Sequence, residues 1–202
     1  MRPFLPLAER LGGLFGALVD GSVPSLEVSY EGQIADYDTR ILTLSVLKGM
    51  FSGSSDEPVS YVNAPRLAED RGVEVRESKT TTPHDFVNLI TLRSGEHALA
   101  GTLVGLSGKP KIVMVDDHNM DVPPAANMLA IRNDDRPGVI GTVGMVLGDA
   151  GVNIADMDVG QSPEGETALM VLATSQPVPD EVKAALEASD GITSVHVLSR
   201  EQ

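Results

Sequence analysis

The sequence predicts an α+β protein of two units. An α/β unit over 1–122 is followed, past a short linker at 123–126, by a ferredoxin-like βαββαβ unit over 127–202. Three observations predict it. Helical periodicity leads and short alternating segments follow in the first part. The Pro pair in Val122-Pro123-Pro124-Ala125-Ala126 interrupts both helix and ladder hydrogen bonding. Beyond that pair the order of strand and helix patterns starts afresh, and 202 residues suit two modest domains.

In the first unit, apolar residues at Phe4, Leu7, Ala8, Leu11, Leu14, Phe15 and Leu18 fall on one face of a helix over 4–19. Leu26-Glu27-Val28-Ser29-Tyr30 alternates with period two, which predicts a half-buried strand closed by Gly32. A second helix runs from Asp38 to about Phe51, with Asp38 or Thr39 as N-cap and Gly53-Ser54-Ser55 ending it. Asn63-Ala64-Pro65 predicts a third helix, capped by Asn with Pro in its first turn, that stops at Gly72. Four extended segments follow near 73–80, 86–93, 97–105 and 111–116. Helices first and strands after place the helices on one side of a sheet. Asp116-Asp117-His118-Asn119-Met120-Asp121 reads as a polar turn. It lacks the Gly and the closing Glu of a calcium-binding loop, so no metal site is expected there.

In the second unit the expected order is a strand over Met128–Arg132, a helix over Val139–Ala150, and strands over Val152–Val159 and Thr167–Ala173 joined by Ser162-Pro163-Glu164-Gly165. A helix over Pro179–Ser189 and a strand over Ile192–Leu198 complete it.

Composition narrows the function. Hydrophobic residues at 42% can form a core, but aromatics at 3% with no Trp leave little for stacking nucleic-acid bases. A net charge of −14 without a basic run repels a phosphate backbone. The absence of Cys excludes disulfides, thiolate metal sites and a cysteine nucleophile, and suits a reducing cytoplasm. No stretch has the pattern of a membrane span or a signal peptide. Gly138-x-x-Gly141-x-x-Gly144 is not a dinucleotide fingerprint, since its first two glycines are separated by two residues and it lies within a helix. No catalytic motif and no cofactor site, NAD included, is read in the chain.

The informative stretch is Asn133-Asp134-Asp135-Arg136-Pro137-Gly138-Val139-Ile140, a polar strand-to-helix corner. One reading is structural: an Asp caps the helix and Pro takes its first position. The other is functional: helical N–H groups receive a carboxylate while Asp135 receives an ammonium, as an amino acid would offer. Gly138 keeps the helix entrance open. Gly141, Gly144 and Gly148 each cost about 1 kcal/mol relative to Ala unless close packing compensates. Gly151-Val152-Asn153-Ile154 supplies a helix-ending Gly and an Asn whose amide, if buried, needs partners.

Asp-Arg-Pro-Gly-Val-Ile at 135–140 followed by Gly-Val-Asn-Ile at 151–154 resembles the signature of the ACT domains that end D-3-phosphoglycerate dehydrogenases. Pro3-Phe4-Leu5-Pro6-Leu7-Ala8-Glu9-Arg10-Leu11-Gly12, Leu47-Lys48-Gly49 and Tyr61-Val62-Asn63-Ala64-Pro65 resemble the intervening, or allosteric substrate-binding, domain of the long form of that enzyme. The resemblance implies a regulatory region without catalytic residues, with NAD chemistry in a part upstream of Met1. It implies a homodimer through the ACT domain, with L-serine bound across it as feedback inhibitor. Carried over, Asn133 and Asp135 of one chain, with the corner Pro137-Gly138-Val139, meet Asn153 of the other. Family variants carry His or Tyr at the place of Asn133 and Asn at the place of Asp135. Some members also hold an anion in the intervening domain. Lys111 matches one position of that site and His118 partly substitutes at another, whereas Pro123 and Ala173 stand where those members have Arg.

Two alternatives share these domains. One is the small component of an iron–sulfur L-serine dehydratase, whose Gly-Pro-Ser-Ser-Ser-His-Thr start is absent here. The other is a free-standing amino-acid-binding ACT protein.

Overall fold

In the computed structural model, which describes residues 2–19, 23–55, 57–161 and 167–198, α1 (Phe4–Leu18) turns Leu7, Leu11, Leu14, Phe15 and Leu18 inward as its periodicity requires. The turn expected at Ser162-Pro163-Glu164-Gly165 lies outside the described residues. After β1 (Ser25–Gly32) and a single 3-10 turn (Gln33–Asp36), α2 (Arg40–Ser52) crosses α1 with backbone against backbone. A Cβ on Gly12 would sit 2.0 Å from the Val46 carbonyl oxygen, and one on Gly49 would sit 1.8 Å from that of Glu9. Glycine is required at both positions because no side chain fits between the two helices. The Lys48 ammonium, 3.1 Å from the Glu9 carboxylate, flanks the crossing.

The remaining elements of the first domain are α3 (Ala64–Asp70), β2 (Glu74–Thr80), β3 (Asn88–Ser94), β4 (His97–Val104), β5 (Lys109–Val115) and β6 (His118–Val122). The six strands are ordered β2-β1-β3-β4-β5-β6, with β1 and β2 parallel and the other pairs antiparallel. Leu26, Val28, Tyr30, Ile90, Leu92, Leu99 and Ile112 join the helices in one core. Within it Tyr30 hydrogen-bonds Thr43 Oγ1 at 2.7 Å. That hydroxyl and the one on Thr39 donate to Glu77 at 2.7 and 2.9 Å, tying α2 to β1 and β2. Burial pushes the Tyr30 phenol well above its ordinary ionisation range.

The second domain comprises β7 (Met128–Asp134), α4 (Val139–Asp149), β8 (Ile154–Gln161), β9 (Thr167–Thr174), α5 (Asp180–Glu187) and β10 (Ile192–Val197). Its sheet, β10-β7-β9-β8, is antiparallel at every pairing, the ferredoxin-like order that βαββαβ connectivity generates. Period two divides β7 and β9 between two cores. Leu129, Ile131, Met170 and Leu172 pack with Val143, Leu147, Val182 and Leu186 of α4 and α5. Met128, Ala130, Leu169 and Val171 belong instead to the core of the first domain, with Met120 and Val122. The second sheet is therefore covered on both faces, by its own helices and by the neighbouring domain.

Four local expectations are corrected. The polar turn read over 116–121 is confined to Asp116 and Asp117, both left-handed at φ 46° and 63°, as a two-residue hairpin loop requires. His118, Met120 and Val122 then alternate inward along β6, a strand whose pattern is disguised by a histidine in an apolar slot. Asn63 does not cap α3; its Oδ1 accepts from the Ser60 N–H at 2.7 Å and its amide donates to the Pro58 carbonyl at 3.0 Å. Thr39 stands at the start of α2 but spends its hydroxyl on Glu77, while Asp38 accepts from the Arg40 N–H at 3.2 Å.

Replacing Gly49 or Gly12 with Ala reverses the usual helix preference. Urea denaturation is expected to show a loss of about 2 kcal/mol or more at either site, whereas Gly141→Ala on the open face of α4 gains up to about 1 kcal/mol.

Candidate functional site

The strand-to-helix corner of the second domain is built from the end of β7. Asn133 follows Leu129 and Ile131 on the side of the helices and is buried at 3% exposure. Its amide donates to the Asp134 carbonyl at 2.7 Å, which directs Oδ1 into the protein, where it has no hydrogen-bond partner. The corner is held by the Arg136 N–H on the Asp134 carbonyl and by the Asp134 N–H on the Gly191 carbonyl, both at 2.9 Å. The Arg136 guanidinium spans Asp134 at 3.5 Å and Asp190 at 2.8 Å.

The structural reading of this corner is changed, because the residue at the N-cap of α4 has no side chain. Gly138, left-handed at φ 98°, is the N-cap residue, and Pro137 precedes it rather than taking the first helical position. The first-turn N–H groups of a helix have no intrahelical acceptor and face outward with the positive end of the helix dipole. Asp135, Pro137 and Gly138 are exposed around them. Val139 turns its side chain into the core, leaving its backbone N–H at the corner.

Asn153 lies at the far end of α4, beyond the left-handed Gly151. It is exposed rather than buried, with its backbone fixed by Ser175, whose N–H bonds the Asn153 carbonyl at 2.9 Å. An eleven-residue helix separates it from Asn133 and Asp135, a length of about 16 Å. No single chain brings these residues together. Between them runs an open apolar face with Ile140 47% and Met145 69% exposed. The close packing expected of Gly141, Gly144 and Gly148 is not supplied within the chain: a Cβ at any of them would meet nothing within 4 Å.

Lys111 and His118 sit toward opposite ends of the β5–β6 hairpin, since His118 pairs with Val115 beside the turn and Ile112, next to Lys111, pairs with Val122. The Lys111 ammonium is 2.6 Å from the Asp121 carboxylate. His118 is buried with Nδ1 against the Asp116 carbonyl at 2.9 Å. The carboxylates of the 116–121 stretch are engaged separately: Asp116 by Arg132, Asp117 by Arg93 and Asp121 by Lys111. Among the described residues no three His, Asp or Glu side chains converge as metal ligands.

Sequence reasoning missed the seam between the domains. His97 and His196 place their rings 6.0 Å apart edge to face across it. The only legible signal was Asp117 beside Asp116 in a two-residue turn, which identifies the hairpin but not what its carboxylate meets. A cleft of about 710 Å³ also opens between α1, α2, linker residues Ala125 and Ala126, and Leu198. None of the corner residues lines it. Among the described residues no helix is long and apolar enough to cross a membrane.

Comparison with known proteins matches residues 1–116 to the D-3-phosphoglycerate dehydrogenase intervening domain and residues 127–191 to the ACT domain. The chain is similar to proteins named D-3-phosphoglycerate dehydrogenase from Synechocystis sp., at 36% identity over 98% of this chain. Those from Mycobacterium leprae and Methanocaldococcus jannaschii are 36% and 33% identical, each over 98% of this chain. The chain spans only 36–38% of the length of these relatives.

Gly138→Ala forces an L-residue into the left-handed backbone. Denaturation should show a loss of about 1–2 kcal/mol, although a Cβ there meets no neighbour.

Proposed function

The chain belongs to the D-3-phosphoglycerate dehydrogenase family, comprising its regulatory intervening and ACT domains, and from that we propose that it binds L-serine as a feedback effector across an ACT-domain homodimer. In this reading the NAD-dependent oxidation of 3-phosphoglycerate, the first step of serine biosynthesis, takes place in the cytoplasm in a portion of the enzyme outside these 202 residues. The serine dehydratase alternative is not favoured, since the relatives carry the dehydrogenase name.

The observation that carries the reading is the placement of the corner and Asn153 at opposite ends of one exposed helix. Two copies of α4 packed antiparallel about a twofold axis bring Asn153 of each chain to Asn133 and Asp135 of the other, making two equivalent sites. Glycines at 141, 144 and 148 let such helices approach closely, and Ile140 and Met145 supply apolar area. A zwitterion suits the pocket so formed. Its carboxylate meets the first-turn N–H groups of α4, which the side-chain-free Gly138 leaves accessible, and its ammonium meets the exposed Asp135. Serine binding then favours the domain arrangement in which both halves of the site are assembled. It shifts the population by no more than its difference in affinity between arrangements.

Light scattering at micromolar concentration should report a dimer, and calorimetry with millimolar L-serine should report one site per chain. Asn153→Ala is expected to weaken serine binding about tenfold, or 1.4 kcal/mol, despite its distance from the corner. Gly144→Arg should give a folded monomer that no longer binds serine. A wild-type chain that is monomeric, or that gives no heat with serine, contradicts the proposal.

A further inference from the structure

Arg132 and Asn133 are neighbours on β7, and successive side chains on a strand point to opposite faces. Asn133 faces the helices and the effector corner. Arg132 faces the first domain, where its Nη2 donates to Asp116 Oδ2 at 2.6 Å. The Asp116 carboxylate is 3% exposed and the Arg132 side chain 35%.

Asp116 is firmly held by its own domain. Its Oδ1 accepts from the Ala98 N–H at 2.9 Å and lies 3.2 Å from His97 Nδ1. Its backbone N–H donates to the Ala98 carbonyl at 2.8 Å, and its carbonyl is engaged by His118. The apolar packing across the seam, where Val171 and Met120 belong to one core, is non-directional and tolerates small shifts. Besides the His97–His196 ring contact, two hydrogen bonds among the described residues tie the first domain to the linker and the second domain. The Asp121 N–H donates to Asp158 on the edge strand β8 at 2.6 Å, and Arg10 Nη1 donates to the linker carbonyl of Pro124 at 3.2 Å. Of these contacts, it is that of Arg132 that adjoins the corner.

We infer that Arg132 is a positioning residue: its pair with Asp116 sets the end of β7, and with it Asn133–Asp135, against the first domain, and passes effector occupancy to that domain. This rests on the reading of the corner as an amino-acid site. The physical basis is a short rigid path. A shift of Asn133 toward an effector moves the adjacent Cα of Arg132, and the buried, multiply bonded Asp116 transmits that movement to the β3–β4 and β5–β6 hairpins.

The test uses the full chain, with hydrogen exchange and calorimetry in the presence and absence of L-serine. In the wild type, serine should change exchange over residues 97–118 as well as at the corner. Arg132→Met should abolish the response over 97–118 and shift the serine dissociation constant about fivefold or more. Arg132→Lys, which keeps the charge, should restore much of both. Asp116→Asn, which keeps the acceptor shape, should behave as Arg132→Met does. Arg93→Ala, which removes a surface pair at the same turn, should match the wild type. Wild type that binds serine while exchange over 97–118 stays unchanged overturns the inference alone, as does Arg132→Met with wild-type affinity and response. Wild type that gives no heat with serine overturns the amino-acid reading and this inference together.

Discussion

The two-sided burial of the second sheet is the constraint on which the rest of the arrangement depends. A four-stranded sheet with two helices covers one face; its other face must be covered or remain polar. Here β7 is apolar over Met128–Ile131 and β9 over Ala168–Ala173, so both faces demand partners. Met128, Leu169 and Val171 find theirs in the first domain, each contributing about 1.5–3 kcal/mol. The domains therefore share a core rather than hang on a tether, and the linker at 123–126 is a short crossing from the edge strand β6 to the interior strand β7. Anything that moves the end of β7 is felt on both sides of that sheet.

Polar placement obeys the same alternation. At the end of β7, where the apolar run gives way, the side that faces the helices carries Asn133 and the side that faces the first domain carries Arg132. A carboxylate such as Asp116 is costly to bury unless it is paired and hydrogen-bonded. The Ala98 N–H, His97 and Arg132 meet that requirement, and one of the three comes from the other domain. The pair is thus a statement about domain orientation more than about stability.

Glycine is used in two opposite ways. In the α1–α2 crossing it is consumed: Gly12 and Gly49 admit a neighbouring backbone, and the first domain is built around that contact. In α4 it is unspent. Three exposed glycines weaken the helix by about 1 kcal/mol each and gain nothing inside the chain. The proposed dimer would use that surface, with exposed Ile140 and Met145, for the close approach that the glycines permit.

Much was legible in the sequence because it is local. The 3.6-residue spacing of Leu7, Leu11 and Leu18, the alternation along β1 and the breaks at Pro123-Pro124 and Gly151 depend on neighbours a few residues away. So does Gly138, whose left-handed backbone only glycine adopts without strain. β6 was hidden because a histidine occupied an inward position, and a buried polar residue breaks the only pattern by which a strand is read. Asn63 and Thr39 misled for a related reason: their side chains bond to Ser60 and Glu77, partners that helix-cap rules cannot foresee. What the sequence by itself determined was the elements other than β6, their order and the polar corner, since these depend on backbone geometry and periodicity. What only the tertiary structure decided was the meeting of Asp116 with Arg132 and of His97 with His196, the separation of Asn153 from Asn133, and the open face of α4. Those are distances between residues far apart in the chain, set by how two sheets share one core.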